Sequence, residues 1–175
     1  NTACSLEVKG RNEEETDTAY SGSITRYTAQ NVPTDLTFSS ITVSGITVAA
    51  VGTFTNNGTG SALVHFDNGV GTTQDVTSGS SWTNSSLSPN TQYTYTAYAQ
   101  NSDAVVTDSI NDSTYTLANA PGQITTALGG DSSSLILTLA ENSNPVATNA
   151  LIYATTTEQY VDNAALTLTG DNTDY

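Results

Sequence analysis

The chain repeats itself, and the period governs everything else it can do. Tyr27-Thr28-Ala29-Gln30-Asn31-Val32-Pro33 returns as Tyr115-Thr116-Leu117-Ala118-Asn119-Ala120-Pro121, sharing Tyr-Thr-x-x-Asn-x-Pro at an offset of 88. Ala62-Leu63-Val64 returns as Ala150-Leu151-Ile152 at the same offset, and Asn1-Thr2 through Asn12 returns as Asn90-Thr91 through Asn101 at 89. Three anchors in order on one period describe a string of like units, in which each unit must close its own core or share one with a neighbour. The period sets three spans: 1–31 matches the end of a unit, 32–119 is one whole unit, and 120–175 matches the first part of a third. The opening Asn1-Thr2-Ala3-Cys4 reads as a mature or excised chain, with no basic and apolar leader remaining.

Within 32–119, short apolar-alternating runs separated by turn residues predict seven strands, the signature of a two-sheet β-sandwich. The expected strands are 36–41, 46–54, 62–66, 74–76 as a short edge segment, 81–86, 93–100 and 113–117. Asn56-Asn57-Gly58 and Asp67-Asn68-Gly69 supply turn chemistry. Along 93–100, Tyr93, Tyr95, Ala97 and Ala99 fall on one face and Thr94, Thr96 and Tyr98 on the other.

Composition narrows the function classes. Only 3 Lys+Arg stand against 17 Asp+Glu, a formal net charge of −14. The cations are Lys9, Arg11 and Arg26, with none after them. Nucleic acid and anionic lipid are both recognised through cations, so neither is an expected partner. No apolar run approaches the roughly 18 residues of a membrane-spanning helix, so no membrane insertion is expected. Cys4 is the sole cysteine, which excludes an internal disulfide. Three sequons, at Asn57, Asn84 and Asn111, are candidate glycosylation sites on an extracellular chain.

The run Leu87-Ser88-Pro89-Asn90-Thr91-Gln92-Tyr93 resembles the Leu-x-Pro-x-Thr-x-Tyr stretch of fibronectin type III domains. The resemblance implies tandem all-β, immunoglobulin-like sandwiches. It also implies a tyrosine corner, with the Tyr93 ring in the core and its hydroxyl bonded to the loop before it, Leu87 as buried loop anchor and Pro89 stiffening the turn. In the third unit, Asn144-Pro145 and the run from Thr155 to Asp162 are similar to bacterial surface-protein versions of the domain, and the array resembles those of bacterial or archaeal extracellular proteins. The family's early core tryptophan is missing, with Ala49 and Ala50 near its place and Trp82 in a later strand. Cys4 stands where the first unit's corner tyrosine belongs.

Candidate chemical groups are sparse. His65 is the only histidine and no Gly-x-Ser-x-Gly elbow accompanies it, so a structural role is expected. Cys4 reads as a buried, inert core thiol. Glu13-Glu14-Glu15 with Asp17, and Asp108 with Asp112, read as matching loops near a last strand. They are expected to be solvated, although Ca²⁺ is the ion such loops attract. The acidic tail at 171–175 reads the same way. Tyr20, Tyr98, Tyr153 and Tyr160 read as strand residues, with a sugar-stacking platform as the alternative.

The expected function is therefore non-catalytic: an extracellular structural array forming a stalk, surface layer or filament. Short Asn-x-Pro linkers leave neighbouring units little slack. Units cut across at 1–31 and 120–175 admit head-to-tail completion between copies, or continuation in a longer chain. The alternatives are an adhesion module binding carbohydrate or protein, and accessory spacer domains of a secreted carbohydrate-active enzyme. No cofactor is expected.

Overall fold

The computed structural model describes residues 1–128, 135–138, 140, 142–145, 153–154, 159–162 and 167–169. The anchor at 150–152, the run 155–158, the tail 171–175 and the side chains of Tyr153 and Tyr160 lie outside the described residues. Every regular element among the described residues is a strand. In chain order these are β1 (Ala3–Leu6), β2 (Ile24–Tyr27), β3 (Asp35–Ser39), β4 (Gly45–Val51), β5 (Leu63–Asp67), β6 (Thr73–Val76), β7 (Ser81–Ser85), β8 (Gln92–Gln100) and β9 (Ile110–Tyr115). They continue as β10 (Thr125–Leu128), β11 (Leu135–Thr138), β12 (Tyr153–Ala154), β13 (Gln159–Asp162) and β14 (Thr167–Thr169). The chain divides into two compact units, 1–87 with 92–116, and 88–91 with 117–175.

The first unit contains a complete sandwich. One sheet has the order β3-β4-β7 and the other β6-β5-β8-β9, all antiparallel. Seven strands in sheets of three and four form a fibronectin type III-like, immunoglobulin-like sandwich. Alternation assigns the inner faces. Ile46, Val48 and Ala50 point inward from β4, Val64 and Phe66 from β5, and Tyr93, Tyr95 and Ala97 from β8. Leu36 joins them from β3. Trp82, on β7 opposite Val48, supplies the bulk that Ala49 and Ala50 lack. Its ring stands 6.4 Å from Phe66 and 5.9 Å, edge-on, from Tyr95, and Phe38 closes the cluster 5.7 Å from Tyr95.

Several expected boundaries move. β3 ends at Ser39 and β9 at Tyr115, each two residues short of the expected end. Two others move by three residues. β4 stops at Val51 instead of reaching Phe54, whose ring folds back over Gly52, where a Cβ would stand 2.7 Å from Phe54 Cζ. β9 begins at Ile110, because its ladder to β8 already opens at Ala97.

β1 and β2 form a separate two-stranded sheet within this unit. Their hairpin repeats the β8–β9 hairpin bond for bond. Asn12 Oδ1 accepts from Glu14 N at 3.0 Å and Thr16 N at 2.8 Å, and Asn101 Oδ1 accepts from Asp103 N at 3.0 Å and Val105 N at 2.8 Å. Thr18 N donates to Gly10 O as Thr107 N donates to Ala99 O, both at 2.9 Å. Glu15 and Ala104 take the same left-handed conformation, with φ of 61° and 65°. Asx-type turns of this kind satisfy loop amides that no strand reaches.

In the second unit β10 pairs with β11, and β12-β13-β14 form a three-stranded sheet. Gly122 N donates to Ala140 O there, as Thr34 N donates to Val51 O beside β3 and β4.

Candidate functional site: a buried amide joint

Few side chains in this chain carry chemistry, and among the described residues no group of three or more His, Cys, Asp or Glu is placed to hold a metal. The densest cluster of long-range polar contacts lies where the β1–β2 segment meets the β4–β5 and β8–β9 loops.

Asn1 is 7% exposed, Gln30 5% and Asn101 2%. Burying amides at this level requires that their donors and acceptors be paired. Gln30 Nε2 donates to Thr55 O at 3.0 Å and to Asn57 Oδ1 at 3.1 Å, and Gln30 Oε1 accepts from Thr55 N at 3.2 Å. Asn1 Nδ2 donates to Thr55 O at 3.1 Å, Asn56 Nδ2 donates to Asn1 O at 2.7 Å, and Ser102 N donates to Asn1 Oδ1 at 3.2 Å. Asn101 Nδ2 donates to Tyr27 O at 3.1 Å and Thr28 O at 3.2 Å while its Oδ1 holds its own loop. Asp103 Oδ2 accepts from Tyr27 N at 2.8 Å, with the Arg26 guanidinium 3.8 Å from its other oxygen. Asn31 Nδ2 donates to Thr53 O at 2.9 Å, and Pro33, which has no N–H to satisfy, is buried beside them.

Gly60 completes the fit. Its φ is +58°, and a Cβ there would stand 2.9 Å from Ser102 O. Only glycine lets the two loops approach so closely.

The joint was not legible in the sequence as a site. Asn and Gln are common in this chain, and only the repeat, which returns Asn1 as Asn90, Asn12 as Asn101 and Asn31 as Asn119, marked any of them. The linker of the second unit has its own amide set: Asn119 N donates to Asn144 Oδ1, Asn144 Nδ2 to Asn119 O, and Asn119 Nδ2 to Asn142 O. Asn31 and Asn119, and Asn56 and Asn144, are the same positions one period apart.

The other candidates fall elsewhere. The Tyr93 ring is buried in the core, Leu87 packs against that core with its N–H donating to Ser44 O, and Pro89 is half-buried with its carbonyl accepting from Thr91 Oγ1. A buried polar pair not anticipated from sequence lies nearby: Asn84 Nδ2 donates to Tyr95 Oη at 3.1 Å. Burial pushes the Tyr95 phenol above its ordinary pKa; the Asn84 bond opposes that rise and Tyr93 adds to it.

This pair involves one of the three sequon asparagines. Asn84 is 3% exposed, with its amide engaged in the core. Asn57 is half-buried, with Oδ1 accepting from Gln30 and Nδ2 donating to Gly79 O, while Asn111 is exposed on β9.

Cys4 is exposed, contrary to the expectation of a buried thiol. It holds the place of Tyr93, but no second sheet of the unit covers β1 as β3, β4 and β7 cover β8.

The acidic groups do not form matching loops. Glu13, Glu14 and Glu15 occupy the hairpin tip where the repeat has Ser102, Asp103 and Ala104, whereas Asp108 follows its loop and Asp112 lies in β9. Asp17 is committed to Arg11 and Lys9; Arg11 first and Lys9 second hold its carboxyl below the usual range. Tyr20 lies under the Lys9 ammonium, 5.2 Å from ring centroid to Nζ. His65 bonds Asp75 Oδ1 through Nδ1 at 2.6 Å and stacks on Tyr98 at 4.7 Å, a cross-strand trio on the outer face of the four-stranded sheet.

No family model matches this sequence, and no curated protein matches it. Among solved structures, a computationally redesigned β-sandwich protein is similar at 23% identity over 49% of this chain and 93% of its own, with a TM-score of 0.39. The central fibronectin-III array of RIM-binding protein is similar at 20% identity over 79% of this chain and 55% of its own, with a TM-score of 0.40. The FN1–FN3 domains of chicken CNTN1 are similar at 22% identity over 65% of this chain and 43% of their own, with a TM-score of 0.34. The chain spans about half the length of these two arrays.

Proposed function

We propose that this chain is a non-catalytic structural segment of an extracellular array, in which like sandwiches are set at fixed angles to act as a stalk, surface layer or filament. The amide joint is the observation that carries this reading. A flexible tether would leave polar linker groups in water. Here Gln30, Asn1 and Asn101 are buried and bonded across the boundary, so swinging one part against the other breaks several hydrogen bonds at once. The same contacts occupy the β4–β5 and β8–β9 loops from the side of residues 1 and 27–31, which disfavours an adhesion module that would use those loops for carbohydrate or protein. A strongly negative chain also stays soluble in a crowded array through mutual repulsion.

Amide hydrogen exchange tests the reading. The N–H groups of Tyr27, Thr55 and Ser102 each donate across the joint and are expected to exchange as slowly as the β4 ladder. Gln30→Ala is expected to speed Thr55 exchange by about tenfold or more, the equivalent of losing one buried hydrogen bond. Fast exchange of all three amides in the unmodified protein would contradict a fixed joint.

A further inference from the structure

We infer that Asn57 is a self-modification site, where conversion of the side-chain amide to a carboxylate is held off by the buried amide joint. The inference rests on the fixed-joint reading and adds a covalent consequence of opening the joint.

Asn57-Gly58 and Asn68-Gly69 are the two Asn-Gly pairs in the chain. An asparagine before glycine is open to attack by the next backbone nitrogen, because glycine has no Cβ to obstruct the approach and turns freely. At Asn57 the Gly58 nitrogen would lose its proton to water or hydroxide and bond to Cγ, and Nδ2 would leave as ammonia. Water then adds across one of the two C–N bonds of the resulting ring. Cleavage at Cγ leaves the chain as before with a carboxylate on residue 57. Cleavage at the backbone carbonyl leaves a chain that runs through Cγ. Either way one water is consumed and one ammonia released.

Both turns oppose this step, through different contacts. Asn68 is 1% exposed, which denies the ring its water. Its Oδ1 accepts from Val70 N at 3.1 Å and Thr72 N at 3.0 Å, and Gly69 N donates to Asp67 Oδ1 at 2.7 Å. These partners all lie within residues 67–72, so Asn68 takes nothing from the joint. At the other pair, Asn57 is half-buried and Gly58 exposed, so water reaches the turn. Gly58 N donates to Ala62 O at 2.8 Å. The Asn57 amide is held at both ends from outside its turn: Gln30 Nε2 donates to Oδ1, and Nδ2 donates to Gly79 O, each at 3.1 Å. Gln30 also holds Thr55, two residues earlier, through its N–H and its carbonyl. Laying Cγ against the Gly58 nitrogen requires the amide to leave these partners. The joint therefore sets how often Asn57 is free to react. The product has a negative charge and no donor for Gly79 O, so the original contact is not restored.

The test is to hold the full chain at mildly alkaline pH, sample it over weeks, and read conversion at each Asn-Gly pair by peptide mass spectrometry. Position 57 is expected to convert at least about tenfold faster than position 68, the difference that burial and loop bonding make to local opening. Gln30→Ala is expected to raise the rate at 57 by about fivefold or more, the equivalent of one lost hydrogen bond, and to leave 68 unchanged. Gln30→Glu keeps the acceptor for Thr55 N but removes the donor to Asn57, and is expected to act in the same direction. Trp82 fluorescence is expected to be unchanged in both variants. Equal rates at 57 in all three proteins would overturn the proposal, as would conversion at 68 first, or an equal rise at both positions. In each of those cases Thr55 of the unmodified protein would still exchange slowly, whereas failure of the fixed joint shows as fast Thr55 exchange.

Discussion

Replacing Tyr95 with alanine is expected to remove about 4 kcal/mol from the unfolding free energy of the central sandwich, read by urea titration of Trp82 fluorescence. The Tyr95 side chain is fully buried, and it is where Phe38, Trp82 and Asn84 converge. Truncation empties the centre of the core and strands the Asn84 amide. Against a typical total of roughly 5–15 kcal/mol, the loss places the domain near its melting threshold. Tyr95→Phe separates the two causes. It keeps the ring and removes only the acceptor, so the expected cost is about 1–3 kcal/mol. Equal losses in the two variants would show that the hydroxyl, and not the packing, holds this core.

The same residue sets an alkaline limit. An unfolded phenol ionises near pH 10, and the buried Tyr95 phenol ionises only above it. Unfolding therefore releases this proton more readily. The stability contributed is full below about pH 10 and is lost as pH rises through the folded pKa.

Asn101→Ala and Asn12→Ala form the second large test, because one turn motif occurs twice in different surroundings. Each asparagine holds two loop amides through Oδ1. Asn12 is exposed, so water can replace it, and its loss is expected to cost less than about 1 kcal/mol. Asn101 is 2% exposed and also donates to Tyr27 O and Thr28 O across the joint. Its replacement takes the partner from two carbonyls and two loop amides that are only partly open to water, and the expected cost is about 2–3 kcal/mol by the same denaturant titration. Equal costs at the two sites would mean the joint adds nothing to the turn.

Much of the fold was legible because it is written in spacing. The 88-residue period and the alternation of Tyr93, Tyr95, Ala97 and Ala99 depend only on order along the chain, which sequence preserves. What sequence could not show was cover. Cys4 aligns with a buried tyrosine, yet it lies exposed because burial depends on a second sheet and not on position within a strand. Asn84 fits a glycosylation sequon, but inward pointing on β7 makes it a core donor. The joint was hidden for a related reason. Asn1, Gln30, Asn56 and Asn101 are ordinary loop residues until the fold brings contacts from as far apart as Asn1 and Ser102 together.

The most direct test of a fixed joint is the distance between its two sides. Spin labels on the native Cys4 of β1 and on Thr37→Cys, exposed on β3, report that distance by pulsed electron resonance in dilute solution. A single narrow distribution, broadened when Gln30 and Asn101 are both replaced by alanine, is the predicted result. A broad distribution in the protein with both amides intact would contradict the account.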